Sequence, residues 1–344
     1  MRGVLMMLGV VFHAAQVFNP AHSWKIYSPQ CTPLAGYLVE IIGVFRMPAF
    51  FAISGFFCLY SVRRYSSRIL ITTRMKRILV PLLATALTLN TVQALLLDST
   101  GWKAFDLGSY IGEGRWVSHL WFLENLLVYF AAVYAILTFA ARPVRRIAQT
   151  VSRIALRMPM VGLLLLLPLI SMLILALPWV GFPLYFTAFG VWDTFSLLIY
   201  AQFFAFGGLL FVSRDFMDRF AGVPPWIAGG LIALAVAGST LPFQMTKVYC
   251  ASLITWSSIS LCFFVFSHLA IRPSIAIFMS EVSFTVYLFH HLMVIVFGLA
   301  LVRLGVPGVP GLLLLFSLVL AVSIAIHHWA IHPSSFLRFA FNGK

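Results

Sequence analysis

The chain is 344 residues long; 62% of its residues are hydrophobic, only 9% carry a charge, and its formal net charge is +14 at pH 7. Soluble domains contain about 25% charged residues, so this composition excludes a soluble globular protein and indicates an integral membrane protein. A net charge of this sign could also suggest nucleic acid, but here the basic residues flank apolar runs, as in the loops of membrane proteins. The sequence therefore predicts the lipid bilayer, and not nucleic acid, as a partner.

Ten apolar runs of near 20 residues follow one another along the chain, separated by short polar connectors. Runs of this length predict membrane-spanning helices, whereas barrel strands would be about 10 residues long with alternating polarity. We therefore expect an all-α integral membrane protein, a bundle of about ten helices that forms one transmembrane domain over residues 1–344. The predicted spans are 3–19, 36–60, 78–97, 119–140, 160–178, 194–212, 225–241, 250–269, 282–302 and 311–331.

The distribution of basic residues predicts that both termini are cytoplasmic. If the N-terminus is inside, 17 of the 23 Lys and Arg residues fall in inside connectors, including Arg64, Arg68 and Lys344. Cytoplasmic loops of membrane proteins are enriched in these residues, so this orientation is strongly favoured. The outside connectors hold only Lys25, Lys103, Arg115, Lys247 and Arg303.

The first span resembles a signal peptide, with a basic start and Ala14-Ala15 near its end. We interpret it as a membrane helix, because its removal would leave nine spans and place the termini on opposite sides. The four cysteines show no metal-binding pattern, so no metal site is predicted. On this topology Cys31 and Cys250 face the same side, where they could form a disulfide.

Ionisable residues within the spans need a partner or a water-filled site. Arg2 and His13 are eleven residues apart, which places both on one face of the first helix, separated by a rise of about 16 Å. An imidazole near mid-membrane could take a proton from a hydroxyl. The alternative is a flanking arginine and a histidine that is bonded to a neighbouring helix.

The second span contains FRMPAFFAISGFF, residues 45–57. Its Ser54-Gly55 pair would let another backbone come close. Arg46 lies within the span and needs a partner, for which Glu40 or Glu124 is expected. A structural ion pair and a catalytic one are equally compatible with this pattern.

Three later stretches carry further candidates. RMKRILVP, residues 74–81, places Arg74 and Arg77 one helical turn apart, where they could fix orientation or hold phosphates. SHLWFLENLLVYF, residues 118–130, carries His119, Trp121 and Glu124 at the start of the fourth span. SEVSFTVYLFHHLMV, residues 280–294, places Tyr287 and His290 on one helix face, where they could bond each other or orient a ligand.

Together these stretches resemble the acyltransferase-3 family of membrane proteins, over essentially the whole chain. Arg2 and His13 match its pattern of a basic residue, ten residues and a histidine. RMPAFFAISGFF resembles its FFxxSGF signature, RMKR fits its RxxR, and SHLWFL and YLFHH resemble two span signatures. Relatives usually carry a few residues before the arginine, often including Asp, whereas here Met1 precedes it directly.

Within that family, Arg46 ahead of the FF pair, Glu40 six residues earlier and the C-terminal PSSFLRFAFNG resemble the branch that succinylates periplasmic glucans. The resemblance implies a bacterial inner-membrane enzyme that moves an acyl group, succinyl or next acetyl, from cytosolic acyl-CoA to a polysaccharide hydroxyl. It implies acyl-CoA as co-substrate and no tightly bound cofactor. It leaves the oligomeric state open, a homo-oligomer included.

The roles that this resemblance implies fall into three groups. His13 is expected to act as general base or transient acyl acceptor, oriented by Glu124 or Tyr287, with Arg46 on the oxyanion or the succinyl carboxylate. The expected catalytic residues are His13, Arg46, Glu124, Tyr287 and His290; the expected donor-binding residues are Arg2, Ser54, Arg74 and Arg77; the expected acceptor-binding residues are Glu40, His119 and Trp121. The rival hypothesis is a transporter or flippase for a polar or lipid-linked sugar, since a conduction path also needs polar residues near mid-membrane.

Overall fold

The fold is described from a computed structural model that covers residues 1–64, 67–188 and 191–343. These residues form sixteen α-helices, short 3₁₀ and π-helical turns and one two-stranded antiparallel ribbon. The α-helices are α1 Arg2–Val17, α2 Pro33–Arg64, α3 Ser67–Thr85, α4 Thr91–Ser99, α5 Leu107–Gly112, α6 Trp121–Phe139, α7 Ala141–Arg157, α8 Met160–Leu166, α9 Pro168–Leu175, α10 Thr194–Val212, α11 Arg214–Ala221, α12 Pro225–Gly238, α13 Gln244–His268, α14 Pro273–Arg303, α15 Gly308–Ile326 and α16 Ser335–Asn342. The ribbon pairs β1 Thr187–Ala188 with β2 Trp192–Asp193, and π-helical turns at Ala86–Asn90 and His327–Ile331 extend α3 and α15.

The prediction of an all-α membrane protein is confirmed, and each of the ten predicted spans contains a helix. Within the described residues, seven helical segments are long and apolar enough to cross a membrane, or eight if the bent pair α11–α12 counts as one. The apolar helix α1 and the segment Met160–Leu175 are shorter. At 1.5 Å per residue α1 spans about 24 Å, less than the roughly 30 Å of hydrocarbon. The number of crossings and the sides of the termini stay predictions.

Helix α1 lies in the interior of the bundle, where it packs against α2, α14 and α15. One side of it is completely buried, at Val10, Ala14 and Val17. Small residues allow this close packing, since Gly9 and Ala15 are buried too. The side that carries Arg2 and His13 is left for the cavities described below.

Helices α2 and α10 are in backbone contact at two glycines. A Cβ atom on Gly55 would lie 1.9 Å from the Phe204 carbonyl oxygen, and one on Gly207 would lie 1.7 Å from that of Ala52. No side chain larger than hydrogen fits at either position. The expectation that Ser54-Gly55 permits close backbone approach is therefore confirmed, and this contact fixes α2 against the bundle.

The disulfide that Cys31 and Cys250 could have formed is not present, because all four cysteines are free thiols. Cys250 is buried where α13 packs against α12, with its sulfur next to Gly238, whereas the Cys31 sulfur lies 3.4 Å from a ring nitrogen of His22 in the connector after α1. The two thiols thus belong to separate parts of the molecule.

Of the basic residues counted above, Lys344 and the side chains of Arg64 and Arg68 lie outside the described part of the structure.

Replacing Gly55 or Gly207 by alanine is expected to lower the thermal unfolding midpoint of the detergent-solubilised protein by about 3 °C or more. The added methyl meets a carbonyl oxygen of the partner helix, which no rotamer change can relieve. Gly229→Ala is the matched control, because a Cβ atom there meets nothing within 4 Å. Midpoints from a fluorescence melting assay that are equal for all three variants would contradict the packing described for α2 and α10.

Candidate active site

Two cavities lie along α1. The first, which we call the histidine cavity, has a volume of about 540 Å³ and contains His13, Arg46 and His290 in its wall. The second, the arginine cavity, measures about 330 Å³ and contains Arg2 and Arg77. Both volumes lie in the range of small-molecule sites, about 300–1,000 Å³.

The two cavities share three wall residues, Met6, Phe50 and Phe122. All three are at least 95% buried, and the Phe50 and Phe122 rings meet edge to face at 5.0 Å. We call this group the septum. It is apolar, so the polar groups of the two cavities are separated by a single layer of hydrophobic side chains.

Four imidazoles cluster at the histidine cavity, those of His13, His119, His290 and His291. The His13 ring centroid lies 5.2 Å from that of His290 and 4.9 Å from that of His291. The rings of His119 and His291 stack at 4.5 Å with an interplanar angle of 3°. Residues that are distant in sequence, on α1, the turn before α6 and α14, thus form one group.

Hydrogen bonds fix the protonation of two of these rings. The Nδ1 atom of His290 lies 2.6 Å from the Tyr287 carbonyl oxygen, one turn back in α14, and Nδ1 of His291 lies 2.6 Å from Oε1 of Gln93. Since a carbonyl oxygen can only accept, each Nδ1 carries the proton and each Nε2 keeps a lone pair in the neutral ring. Nε2 of His290 is buried without a partner in the wall of the cavity.

Further buried polar atoms at this cavity have no partner. They are Nδ1 of His13, both ring nitrogens of His119 and Nε of Arg46. Buried polar atoms are satisfied in the great majority of cases, so a group of exceptions needs an explanation. A bound polar ligand supplies one, because all of these residues line the same 540 Å³ space.

The Arg46 guanidinium reaches the imidazoles through a gap at Gly9. A Cβ atom at Gly9 would lie 2.6 Å from Nη1 of Arg46 and 3.9 Å from Nε2 of His290. The guanidinium also stacks over the Phe12 ring, 4.8 Å from its centroid. Its charge therefore lies next to a free imidazole nitrogen.

The expected ion pair of Arg46 with Glu40 or Glu124 is wrong, since no carboxylate in the described structure lies within 4.0 Å of Arg46. Glu40 is exposed on α2 and lines neither cavity. Glu124 is buried on the first turn of α6, also outside both cavity walls, and no described hydrogen bond joins it to an imidazole. The position of a residue along its span predicts its depth in the membrane. It does not determine the helix face on which the side chain lies, so neither carboxylate had to point toward Arg46.

Tyr287 lines the histidine cavity, but its hydroxyl is not bonded to His290. It donates a hydrogen bond of 2.7 Å to the backbone carbonyl of His119. The link ties α14 to the turn Ser118–Leu120 and holds the His119 ring against the α14 imidazoles. Tyr287 therefore positions a neighbouring element; of the two alternatives for Tyr287 and His290, a bond to each other or the orientation of a ligand, the direct bond is not present.

The remaining wall of the histidine cavity is aromatic. Trp121 lies 5.1 Å from Tyr200 between ring centroids, and both residues line the cavity. Flat apolar faces next to polar groups suit a sugar ring, which has an apolar face of C–H groups and a polar rim. The structure thus brings Trp121 and His119 together with His13, whereas Glu40 lies elsewhere.

The arginine cavity collects the four residues that were expected at the donor site. Arg2, Ser54, Arg74 and Arg77 line it, with Glu281 as its one acidic lining residue. Arg74 also donates a hydrogen bond to the Ser61 hydroxyl and lies over the Phe130 ring. Three guanidinium groups against one carboxylate form a site for a polyanion.

The C-terminal helix α16 closes one side of the arginine cavity. It packs on α3 and α14, and Asn342 at its end lines the cavity. Gly343 follows with φ +63° and lies against the Arg77 backbone, where a Cβ atom would approach Arg77 Cα to 2.5 Å. A glycine is required here for both reasons. The C-terminal segment PSSFLRFAFNG therefore contributes to the wall of the arginine cavity.

The sequence reasoning missed several wall residues. His291, Gln93, Tyr200, Lys25, Lys103 and Arg115 were not among the expected site residues, although all of them border the histidine cavity or its imidazoles. The adjacent His290-His291 pair and the Gln93 amide inside an apolar span were available signals. The sequence contains no comparable signal for Lys25, Lys103 and Arg115, because basic residues in connectors are common.

Within the described residues, no three His, Cys, Asp or Glu side chains are arranged to hold a metal ion. The chemistry available to this site is that of imidazoles and cations. An imidazole with a free Nε2 can accept a proton from a hydroxyl, and an adjacent guanidinium can stabilise negative charge on oxygen.

Comparison with known proteins agrees with this chemistry. The model of a family described as "Acyltransferase domain" matches residues 1–328. The chain is 25% identical over 367 residues to glucans biosynthesis protein C of Salmonella paratyphi B, and 26% identical to the protein of that name from Salmonella gallinarum. Each match covers 100% of this chain and 93% of the relative. No solved structure matches.

The family match covers nearly the whole chain, including all the residues that line the histidine cavity. This multi-pass membrane protein therefore belongs to the acyltransferase family.

Proposed function

We propose that this protein transfers a succinyl group from cytosolic succinyl-CoA to a hydroxyl of a periplasmic glucan across the bacterial inner membrane, with acetyl as the next candidate group. The observation that carries this proposal is the pair of cavities on α1, separated only by the septum. Reactants from opposite compartments can then meet without either crossing completely. The relatives named for glucan biosynthesis support a glucan as acceptor.

In this proposal the arginine cavity holds the CoA phosphates. Arg2, Arg74 and Arg77 provide forked donors, which suit phosphate oxygens. The charge distribution along the chain predicts that this cavity faces the cytosol, where acyl-CoA is made. The pantetheine arm then passes the septum, so that the thioester lies next to the imidazoles.

His13 acts as general base in the direct route. Its ring removes the proton from the acceptor hydroxyl, the oxygen attacks the thioester carbonyl carbon, and a C–O bond forms as the C–S bond breaks. The imidazolium returns the proton to the leaving sulfur, which gives a sugar ester and CoA thiol. In the two-step route a ring nitrogen of His13 attacks the thioester carbonyl carbon, and the C–S bond breaks as CoA leaves as a thiol with the proton that the ring gives up. The sugar hydroxyl then attacks the acyl-imidazole, whose C–N bond breaks as the hydroxyl proton passes to the ring.

Arg46 is proposed to stabilise the oxyanion of the tetrahedral intermediate or to bind the succinyl carboxylate. Its lack of a carboxylate partner supports this role, because an uncompensated charge in the membrane region is costly. His290, with its proton held on Nδ1 by a backbone carbonyl, places a free Nε2 next to Arg46. It is a second candidate for the proton acceptor.

The first test follows carbon-labelled succinyl-CoA and glucan in proteoliposomes that contain the full chain. Label bound covalently to glucan supports the enzyme. Glucan that crosses the bilayer without any acyl transfer would overturn the proposal in favour of a transporter. A mass increase of about 100 Da per substituent identifies succinyl, and about 42 Da acetyl, by formula arithmetic.

His13→Ala is expected to abolish transfer, lowering the rate at least about 100-fold, because general-base catalysis typically contributes that much. The rate is measured as labelled glucan formed per enzyme in proteoliposomes. The control is His268→Ala, which removes an exposed imidazole at the end of α13, far from α1 in sequence. Turnover like that of the unchanged protein, from a variant that elutes normally on size exclusion, would eliminate His13 as base or acyl acceptor.

The double change Arg74→Ala with Arg77→Ala is expected to weaken CoA binding by about 10-fold to 150-fold, the worth of one or more hydrogen bonds to a charged group. Isothermal titration with CoA measures the affinity directly. Arg145→Ala serves as the control, since Arg145 is exposed on α7 and lines neither cavity. Unchanged affinity in the double variant would remove both residues from the donor site.

Met6→Phe is expected to narrow the septum and lower the transfer rate. The affinity for CoA without an acyl group should stay unchanged, because the proposed phosphate site lies in the arginine cavity, which the phosphates reach without passing the septum. Met7→Phe is the matched change on the next residue, which packs into a separate hydrophobic cluster. Equal transfer rates for both variants would argue against passage of the thioester between Met6, Phe50 and Phe122.

A further inference from the structure

The outer part of the histidine cavity is strongly cationic. Among the described residues, Lys25, Lys103 and Arg115 line it together with Arg46, and no Asp or Glu side chain does. We call Lys25, Lys103 and Arg115 the basic rim. The same three residues border a side recess of about 50 Å³, where Asp106 is the one carboxylate.

Local structure holds the Lys25 side chain in place. Ile26, next to it, is completely buried and fills a space at Gly298 of α14, where a Cβ atom would approach Ile26 Cδ1 to 2.7 Å. The Lys25 ammonium donates a hydrogen bond of 2.7 Å to the Ser118 hydroxyl. Ser118 has φ +50°, an uncommon value for a residue other than glycine. Such backbone strain is frequent at ligand sites.

The segment that carries the other two cations is also anchored. Nδ2 of Asn90 donates to the backbone carbonyls of Trp116 and Val117, at 2.8 and 2.9 Å. The backbone N–H of Lys103 donates to the Leu97 carbonyl. Buried contacts therefore fix the backbone of both segments, whereas the side chains of Lys103 and Arg115 are exposed at the cavity.

Two of the three residues of the basic rim, Lys25 and Lys103, have no carboxylate partner among the described residues. Glu113 pairs with Arg115 at 2.7 Å, with both side chains partly exposed. Asp106 accepts hydrogen bonds from the backbone and hydroxyl of Ser109, which it caps at the start of α5. No described carboxylate lies within 4.0 Å of Lys25 or Lys103.

Burial and the neighbouring charge of Lys103 both act on the pKa of Lys25. Burial, and next the charge of Lys103, lower the pKa of Lys25 from 10.5 to about 7. An anion at this position would favour the charged ammonium and offset both effects.

We propose that the basic rim binds an anionic substituent of the acceptor, so that the preferred acceptor is a glucan that already carries a phosphate or carboxylate group. This inference rests on the proposed function and adds the chemical class of the acceptor. Arg46 lies deeper, next to His290, and serves the reacting carbonyl or the acyl carboxylate. The basic rim serves the sugar that enters from outside.

The test compares two acceptors in proteoliposomes: a neutral glucose oligomer, and the same oligomer with one phosphate monoester or one terminal glucuronate. The unchanged protein is expected to have a kcat/KM roughly tenfold higher for the charged oligomer, about the effect of one good ionic hydrogen bond. In the triple variant Lys25→Met, Lys103→Met, Arg115→Met this ratio is expected to fall to one. Lys247→Met, on the exposed start of α13, is the matched control that keeps the ratio.

A change of donor distinguishes an anionic group on the acceptor from the carboxylate of the acyl group as the ligand of the basic rim. If the basic rim instead binds the carboxylate of the acyl group, the triple variant loses rate with succinyl-CoA and keeps it with acetyl-CoA, whichever oligomer is used. That result would overturn the inference, as would equal kcat/KM for both oligomers in the unchanged protein. Failure of transfer to both oligomers would instead refute the proposed function.

For the oligomer with a terminal glucuronate, whose carboxylate stays ionised throughout, the preference is also expected to decline between pH 6 and pH 8.5. As the pH rises through about 7, Lys25 loses its proton and its attraction for the anion. Lys103, Arg115 and Asp106 face it from the other segment, and the imidazoles of His13, His119 and His291 lie across the cavity. The variant Lys25→Arg distinguishes titration of Lys25 from titration of those groups. A guanidinium stays charged at pH 8.5, so this variant should keep its preference for the charged oligomer. Equal decline in this variant would exclude Lys25 as the titrating group.

Discussion

A guanidinium and several imidazoles within a membrane protein must be paired or face water, since an unpaired charge at the bilayer centre costs on the order of 2.5 kcal/mol or more. Within the described part of the chain Arg46 has no carboxylate partner, and its Nε atom and four imidazole nitrogens of the cluster are buried without a hydrogen bond. The bundle satisfies this constraint by enclosing a polar cavity. The rest of the architecture, from the buried face of α1 to the glycine contact between α2 and α10, keeps that cavity open.

In the proposed function the two cavities divide the work of acyl transfer by charge and by chemistry. The arginine cavity offers three cations for phosphates but no imidazole, whereas the histidine cavity offers imidazoles with free nitrogens. Helix α1 links them, since Arg2 and His13 are eleven residues and about 16 Å apart on one face. The septum between them is apolar, which hinders the passage of ions and water while an extended thioester arm can thread between the side chains. Such a division suits an enzyme whose two substrates never share a compartment.

The hydrogen bonds around the imidazoles also give them different roles. His290 and His291 have a fixed tautomer, set by a backbone carbonyl and by Gln93, whereas both nitrogens of His119 are free of partners. Tyr287 holds the turn that carries His119. The cluster therefore combines rings of fixed orientation with rings that are available to a ligand, and the surrounding cations favour ligands that carry negative charge.

The sequence by itself determined the helical membrane class, the positions of the apolar segments and the shared face of Arg2 and His13, because length, hydropathy and the 3.6-residue period are local properties. Ten of the twelve residues that short motifs assigned to the site line one of the two cavities, and the family match supports that resemblance. Only the tertiary structure decided which side chains meet. Glu40 turned out to be exposed, Glu124 to lie outside the cavity walls, and Lys25 to lie beside the imidazoles, because the direction of a side chain depends on how its helix or loop packs against elements distant in the chain.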